Sequence, residues 1–210
     1  EAGPLITFVN RVAAEFPDKT ISTLAYTYTR HAPKDLKPAP NVNICLCSIE
    51  CDRAGPLRPS PRNADFLRDI EEWSALTSNL MIWDYVVQFS NYVSPFPNFP
   101  VLQPNIQLFR AAQVQLMFQQ GSGTSKSDFS ELKQYTIAKL LWDPDQDVNA
   151  LIDGFLQGHY GEAATHVRRY FDLVHAALAA SGADLSIYGS PVVEGETWLT
   201  PSVLGEAESI

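Results

Sequence analysis

The sequence predicts an α/β fold with four parallel strands and covering helices, arranged as half of a TIM (β/α)8-type barrel. Short apolar runs typical of buried strands alternate with helical patterns, which predicts a parallel sheet with helices packed on it. Four strands are too few to close an eight-stranded barrel, which typically takes about 250 residues. An open four-stranded sheet is the alternative, although the glycine-rich phosphate turn common in such sheets follows none of the strands.

The first elements are a helix and two strands. Apolar residues recur on one helical face over residues 5–16, and Pro17 then ends the predicted helix. A strand is predicted near residues 21–28, which are rich in β-branched and aromatic side chains. A second is predicted near 42–49, which is apolar with little alternation. The proline-rich residues 33–40 between them predict a loop.

The remaining patterns continue the alternation. They predict a helix, a strand, a helix, a strand and two long helices, in this order: residues 63–76, 80–86, 103–112, 113–118, 129–141 and 148–180. Residues 1–180 are therefore expected to form the half-barrel. Residues 181–210 lack periodicity and are expected to be a tail leading to a further segment, with 184–188 as a short strand.

The composition excludes two classes of partner. The net charge is −9, and the 15 basic residues are scattered, whereas nucleic-acid binding needs clustered lysine and arginine. No apolar run approaches the roughly 18 residues that a membrane helix needs. We therefore expect no nucleic-acid partner and no membrane span, and the first residues do not resemble a signal peptide.

Three cysteines, Cys45, Cys47 and Cys51, lie close together in the sequence. An odd number cannot pair completely within one chain. Structural zinc normally takes four Cys or His ligands, and none of the four histidines has a matching spacing. We therefore expect no metal and no cofactor, and interpret the cluster as buried thiols plus one loop thiol or disulfide partner.

The third predicted strand ends in an acid between two aromatic residues, Trp83-Asp84-Tyr85. Barrels display site residues at this end of a strand, and the arrangement suits a sugar. The rings cover the C–H face of a pyranose while Asp84 accepts hydrogen bonds from its hydroxyl groups. Adjacent strand residues point to opposite faces, so a shared site needs a bulge or a strand end at Trp83-Asp84. Alternatively, Trp83 and Tyr85 belong to the core and Asp84 caps a loop.

Aromatic and acidic residues also end the first two strands. Tyr26 and Tyr28 lie on one face of the first predicted strand. One of them is expected in a pocket and the other in the core. Glu50 follows the second strand as an acid or as a ligand of sugar hydroxyls. Its alternative role is structural, in an ion pair with Arg53 or as a helix cap.

Four further residues complete the candidate sugar-binding set. Gln119 and Gln120 end the fourth strand, and their amides can donate and accept hydrogen bonds. Phe96 and Asn98 lie on the loop after the third strand, where they could edge a sugar subsite. Alternatively, Pro95 and its neighbours only stiffen that loop.

Several sequence blocks occur in a specific order over nearly all of residues 5–175: Phe8-Val-Asn-Arg-Val-Ala, Leu24-Ala-Tyr-Thr-Tyr, Asn41-Val-Asn-Ile with Cys47-Ser-Ile-Glu-Cys51, Ile82-Trp-Asp-Tyr, Pro95-Phe-Pro-Asn98, Leu140-Leu-Trp-Asp-Pro144 and Tyr160-Gly-Glu-Ala-Ala. Together they resemble a bacterial family catalogued as domain-of-unknown-function family 4838. Part of that family is glycoside hydrolase family 163, endo-β-N-acetylglucosaminidases that act on complex N-glycans. No single block is diagnostic, and the resemblance rests on their shared order.

The resemblance implies a secreted, periplasmic or cell-surface glycoside hydrolase whose partner is an oligosaccharide or a glycoprotein glycan containing N-acetylglucosamine. It implies a retaining, substrate-assisted reaction, in which the sugar acetamide is the nucleophile and the protein supplies an acid. The family's barrel looks related to those of β-hexosaminidases and α-glucuronidases. The chain is then expected to begin mid-barrel as the C-terminal half, with the catalytic Asp-Glu pair in the remaining half of the barrel.

The resemblance also implies roles for the strand-end residues. Glu50 and Asp84 are the candidate catalytic residues, and related barrels supply an acid and a tyrosine, here Asp84 and Tyr85, to the sugar in the bond-cleaving subsite. Many relatives carry an acid at the position of Gln119, whose amide cannot act as a base. Two other functions stay open. One is an α-glucuronidase-like inverting hydrolase, which needs carboxylates roughly 6.5–9.5 Å apart. The other is a carbohydrate-binding relative without catalysis.

Overall fold

The computed structural model of the chain describes residues 2–58, 60–123 and 126–210. In chain order the helices and strands are α1 (Ala2–Glu15), β1 (Ile21–Ala25), β2 (Val42–Cys47), α2 (Ala64–Leu76), β3 (Leu80–Tyr85), α3 (Phe99–Ala111), β4 (Leu116–Gln120), α4 (Ser130–Trp142), α5 (Val148–Tyr160), α6 (Ala164–Ser181), α7 (Pro191–Gly195) and α8 (Pro201–Glu208). The chain divides into two compact units. The first comprises Glu1–Cys51, Leu57–Tyr85 and Leu108–Gln120, and the second Asp52–Pro56, Val86–Gln107 and Gly121–Ile210. The boundary expected at residue 180 stays a prediction.

The first unit contains the sheet. Its four strands are all parallel and lie in the order β1-β2-β3-β4, so each strand pairs with the next one along the chain. The predicted α/β fold with four parallel strands and surrounding helices is confirmed. Because the strands are parallel, all four carboxyl ends lie at the same edge of the sheet.

The core of the first unit lies between one face of the sheet and the helices. It contains alternate residues of β2 and β3, each at most 1% exposed: Val42, Ile44, Leu46, Leu80 and Ile82. These pack with apolar residues of the helices, including Ile6, Val9, Phe66, Ile70, Trp73 and Phe109. Burying a side chain of this size contributes roughly 1.5–3 kcal/mol. A shift by one residue would turn this whole set away from the helices, so the core fixes the register.

The opposite face of the sheet, called the open face below, carries the intervening residues: Ser22, Leu24, Asn43, Cys45, Cys47, Met81, Trp83, Tyr85, Leu116, Phe118 and Gln120. Three of its apolar side chains, Leu24, Leu116 and Phe118, are 44%, 56% and 43% exposed. The open face is therefore apolar in composition and partly accessible.

Several element boundaries differ from the predicted ones for local backbone reasons. The first strand ends at Ala25 rather than near residue 28, because the chain turns into a 3-10 helix at Thr27–Thr29, where Thr27 has a φ of 47°. The fourth strand begins three residues later and ends two residues later than predicted, since Gln113, with a φ of 58°, still belongs to the turn that follows α3.

Residues 148–180 form two helices rather than the single one predicted. Gly161 has a φ of 56°, a positive value that is incompatible with a right-handed helix. Helix α5 therefore ends at Tyr160, and α6 begins after a short 3-10 turn. In the tail, residues 184–188 were expected to form a strand, and these described residues form none. They make single backbone hydrogen bonds instead, from Arg53 N–H to Leu185 O and from Phe89 N–H to Ile187 O.

The second unit is built from α4 to α8, the first turns of α3 and the loop after β3. An aromatic cluster, consisting of Phe99, Phe129, Phe171 and His175, joins α3, the start of α4 and α6. The ring of Phe171 lies 5.0 Å from that of Phe99 and 4.0 Å from that of His175.

None of the helices in the described ranges is long and apolar enough to cross a membrane.

We expect the second unit to lose stability on acidification because of His175. Its Nδ1 lies 2.7 Å from Phe171 O, its Nε2 has no partner among the described residues, and burial lowers its pKa to about 4. Between about pH 6.5 and pH 4 the unfolded histidine binds a proton that the folded one does not. The free energy of unfolding should therefore fall by roughly 2 kcal/mol between pH 7 and pH 4.5.

Urea denaturation at the two pH values measures this loss. His175→Leu should remove most of it, whereas His166→Gln, at an exposed position of the same helix, should retain it. An equal acid sensitivity in all three proteins would contradict the assignment to His175.

Candidate functional site

Trp83 is the centre of the best-formed cluster at the carboxyl edge of the open face. Its indole Nε1 donates to Gln120 Oε1 at 2.7 Å, its ring meets the Phe118 ring edge-on at 4.9 Å, and it stacks on Tyr85 at 6.4 Å. Phe118 is the register partner of Trp83, and Gln120 that of Tyr85. The strand ladder therefore places these four side chains next to one another.

A cleft of about 840 Å³ runs along the open face and around the edge of β1. Its aromatic lining comes from Tyr26, Tyr28, Trp83 and Phe118. Three of these were predicted as sugar ligands. Phe118 was assigned only to a strand, although its alternation with Gln120 was visible in the sequence. The polar residues of its lining include Ser22, Thr23 and Thr29 together with the two tyrosines.

Tyr26 and Tyr28 do not belong to a strand, because β1 ends at Ala25. The hydroxyl of Thr29 accepts from Tyr26 N–H at 3.2 Å and donates to Tyr26 O at 3.0 Å, which fixes the turn. Tyr28 is 79% exposed and Tyr26 is half-buried, and both line the cleft. The expectation that one of them belongs to the core is wrong.

Asp84 lies on the face opposite to Trp83 and Tyr85. The ladder runs without interruption through Trp83↔Phe118, Asp84↔Gln119 and Tyr85↔Gln120, so the expected bulge or strand end at Trp83-Asp84 is wrong. The Asp84 side chain is buried and accepts a 2.5 Å hydrogen bond from Ser48 Oγ. Gln119, its register partner, has a buried Oε1 with no partner among the described residues. Asp84 and Gln119 are thus neighbours at the strand ends, away from the aromatic cluster.

Glu50 follows β2 and forms an ion pair with Arg30. Arg30 Nη1 lies 2.8 Å from Glu50 Oε2, and its Nε lies 2.6 Å from Asp69 Oδ2. Burial alone would lower the pKa of Arg30, but the charges of Asp69 and Glu50 together raise it. The Glu50 side chain is 45% exposed, whereas that of Arg30 is 10% exposed. A buried cation therefore holds a partly accessible carboxylate at the carboxyl edge of the sheet.

His31 and Trp73 are two further members of this network. Nδ1 of His31 lies 2.7 Å from Oδ1 of Asp69, whose side chain is fully buried. Trp73 donates its indole N–H to Arg30 O at 2.7 Å. Sequence reasoning missed Arg30, His31 and Asp69, because 39 residues separate Arg30 from Asp69 and no local pattern marks them as partners.

Phe96 and Asn98 belong to the second unit, and each is 1% exposed. The backbone N–H of Phe96 donates to Asp128 Oδ2 at 2.9 Å, and Asn98 Nδ2 donates to Val86 O at 3.4 Å. This burial favours the alternative role, in which the loop is stiffened. Their role as sugar ligands stays a prediction.

The arrangement offers chemistry for binding a polyhydroxylated ring. Trp83 lines the cleft with an aromatic face, Gln120 presents an amide beside it, and Glu50 presents a carboxylate at the same edge of the sheet. Tyr85 is 6% exposed and packs on Trp83, so its role as a sugar ligand stays a prediction. In the described ranges no three His, Cys, Asp or Glu side chains are grouped to hold a metal ion. All three cysteines are buried thiols outside any disulfide.

Comparison with known proteins identifies the family of the chain. The family model described as Domain of unknown function (DUF4838) matches residues 1–172, which is most of the chain. Neither the curated proteins nor the solved structures gave a match. The chain therefore belongs to the DUF4838 family.

Proposed function

We propose that this chain is part of a glycoside hydrolase barrel that acts on N-acetylglucosamine-containing glycans, as an endo-β-N-acetylglucosaminidase of the kind found in glycoside hydrolase family 163. The reaction is retaining and substrate-assisted, and its substrate is an oligosaccharide or a glycoprotein glycan. The observation that carries the proposal is the Trp83, Tyr85 and Gln120 cluster at the carboxyl edge of a parallel sheet. Parallel barrels display their active-site residues at that edge.

The proposed barrel explains why helices pack on one face of the sheet. In a (β/α)8 barrel the helices surround the strands, and the inner faces of all eight strands pack together. The open face, with Leu24, Leu116 and Phe118 partly exposed, corresponds to such an inner face. The outer edges of β1 and β4 would pair with strands of the remaining half, since unpaired edges promote aggregation.

Within this proposal Glu50 and Trp83 contact the sugar, and Asp84 supports them. Glu50 is a partly accessible acid whose carboxylate is held by Arg30. Asp84 is buried and bonded to Ser48, which suits a group that positions the ends of β2 and β3. The general acid belongs to the remaining half of the barrel, and a glycan substrate implies a secreted, periplasmic or cell-surface protein.

A carbohydrate-binding protein without catalysis is the second candidate function. It is favoured by Gln119, the register partner of Asp84. A carboxylate at this position would give a second acid beside Asp84, whereas the amide of Gln119 cannot act as a base. The same amide counts against an α-glucuronidase-like inverting reaction, which needs two suitably spaced carboxylates.

We expect the full-length protein to release glycans from an N-glycoprotein, with one N-acetylglucosamine left on the asparagine. Trp83→Ala should lower kcat/KM by roughly 10- to 100-fold, because an aromatic contact of this size contributes about 1.5–3 kcal/mol. Mass spectrometry of the released glycan and of the remaining glycopeptide measures both results. Trp142→Ala, at a tryptophan that is 91% exposed in the second unit, is the matched control and should keep full activity.

The outcomes separate the candidate functions. Glycan binding that depends on Trp83 without any release would identify the carbohydrate-binding relative. Equal activity of the Trp83→Ala and Trp142→Ala proteins would place the sugar site elsewhere.

A further inference from the structure

His31 carries a ring nitrogen that the proposed sugar chemistry does not use. Its Nδ1 lies 2.7 Å from Oδ1 of Asp69, and its side chain is 60% exposed, whereas that of Asp69 is fully buried. Its Nε2 makes no hydrogen bond to any of the described residues. Because a carboxylate only accepts hydrogen bonds, Nδ1 carries a proton, and neutral His31 has its lone pair on Nε2. The buried acid therefore fixes which nitrogen of this exposed ring is basic.

The other three histidines, which all lie in the described ranges, lack this arrangement. His166 and His175 each place Nδ1 beside a backbone carbonyl oxygen, and His159 makes ring contacts with its aromatic neighbours. A carbonyl oxygen also accepts a hydrogen bond from the ring, but only a carboxylate adds a full negative charge that stabilises a positively charged imidazole. Among the described histidines, His31 alone therefore combines an accessible ring with a buried carboxylate partner.

The pair is held in place by the ion-pair network. Oδ2 of Asp69 accepts from Arg30 Nε at 2.6 Å, and Arg30 also pairs with Glu50 at 2.8 Å. Trp73 donates to Arg30 O, so the backbone next to His31 is anchored as well. Groups that are fixed before a reaction stabilise its charges without the cost of rearranging during the reaction. The network therefore gives the His31 ring a preorganised carboxylate partner.

We propose that His31 and Asp69 form a catalytic dyad that hydrolyses activated acyl esters, with Nε2 of His31 as the nucleophile. Histidine forms covalent intermediates in nucleophilic catalysis, and a hydrogen-bonded carboxylate stabilises the charge that its ring gains. An ester with a good leaving group needs no acid to protonate the departing oxygen. Glycosidic bonds do need such an acid. His31 is not among the residues that line the cleft, so this activity is separate from the proposed glycan hydrolysis.

The reaction consumes one water molecule and releases an acid and an alcohol. Nε2 of His31 bonds to the acyl carbon while the bond from that carbon to the alcohol oxygen breaks, and the alcohol leaves as its anion. The acylated ring keeps its proton on Nδ1 and carries a positive charge next to Asp69. Water then adds to the acyl carbon, the bond to Nε2 breaks, and the carboxylic acid releases its proton to solvent. His31 is regenerated, and no group is oxidised or reduced.

Hydrolysis of p-nitrophenyl acetate by the full-length protein tests this activity through the absorbance of the released p-nitrophenolate. We expect His31→Gln to lower the protein-dependent rate constant by about 10-fold or more, because the nucleophile is lost. Asp69→Asn should also lower it, since an amide lacks the negative charge. His166→Gln is the matched control. His166 is an exposed histidine without a carboxylate partner, so this variant should keep the wild-type rate constant.

Diethyl pyrocarbonate, which acylates imidazole nitrogen, locates the reactive ring directly. Peptide mapping by mass spectrometry should show His31 modified several times faster than His166 in the wild type, and Asp69→Asn should abolish this difference. Circular dichroism confirms that the variants are folded, and His31→Gln, at an exposed position, decides the question if Asp69→Asn does not fold. A wild-type rate constant in folded His31→Gln would overturn the proposal, as would an equal loss in His166→Gln or equal modification of the two rings.

Discussion

Replacing Arg30 with methionine is expected to lower the free energy of unfolding by roughly 3–5 kcal/mol, the typical effect of removing one partner from a buried ion pair. Arg30 is 9% exposed and joins Asp69 at 2.6 Å to Glu50 at 2.8 Å. Without the guanidinium, His31 is the one ionic partner that the described residues leave to the fully buried Asp69 side chain. Burying a carboxylate without full compensation is the physical reason for the loss.

Urea denaturation at pH 7 measures this effect, and Arg168→Met is the matched control. Arg168 also joins two acids, Asp153 and Asp172, but their side chains are 61% and 56% exposed, so solvent screens both pairs. Exposed pairs of this kind contribute roughly 0–1 kcal/mol. The double variant Arg30→Met/Asp69→Asn should be more stable than Arg30→Met, because the unpaired buried charge is gone. Equal losses in Arg30→Met and Arg168→Met would show that the buried network contributes no more to the free energy of unfolding than the exposed ion pairs do.

This network marks the limit of what the sequence could predict. The four strands and their parallel order follow from local apolar runs of suitable length, because a buried strand needs little information beyond its own composition. The Arg30, Asp69 and His31 network instead depends on β1 and α2 being brought together by the fold. No periodicity connects residues 39 positions apart.

Asp84 shows a different kind of limit. Strand alternation already implied that Asp84 and its two aromatic neighbours face opposite sides. The prediction of a bulge made an exception to this alternation in order to place all three side chains in one site. The uninterrupted ladder shows that the alternation holds. Trp83 and Tyr85 could be placed together from the sequence by the same alternation. The division of residues 148–180 depends on the single φ of Gly161, which a helical pattern does not reveal.

A large pH effect on the second unit is also expected from Lys133, which is 2% exposed. Its Nζ donates to Val86 O at 3.1 Å and to Phe96 O at 3.3 Å, and lies 5.3 Å from the ring centroids of Phe96 and Phe99. Burial lowers the pKa of Lys133 to about 8, although the nearby Asp128 carboxylate acts in the opposite direction. Burial in turn raises the pKa of Asp128, with Lys133 opposing that shift.

The sign of the effect follows from proton binding in the two states. Unfolded lysine keeps its proton up to about pH 10.4, whereas folded Lys133 loses it above about pH 8. Between these values the unfolded state binds more protons, so the free energy of unfolding rises with pH, by about 2 kcal/mol from pH 8 to 9.5 and by about 3 kcal/mol in total. His175, which faces the same cluster with a pKa of about 4, titrates well below this window.

Urea denaturation at intervals between pH 7.5 and 9.5 measures this rise in the wild type and in two lysine variants. Lys133→Met should show a flat profile, because the titrating group is gone while the apolar stem is retained. Lys139→Met, at an exposed lysine on the same helix, should show the same rise as the wild type. A wild-type profile that is flat or falls over this range would mean that the carbonyl oxygens and aromatic rings around Lys133 stabilise its charge enough to offset its burial, and that the ammonium group stays protonated in the folded protein.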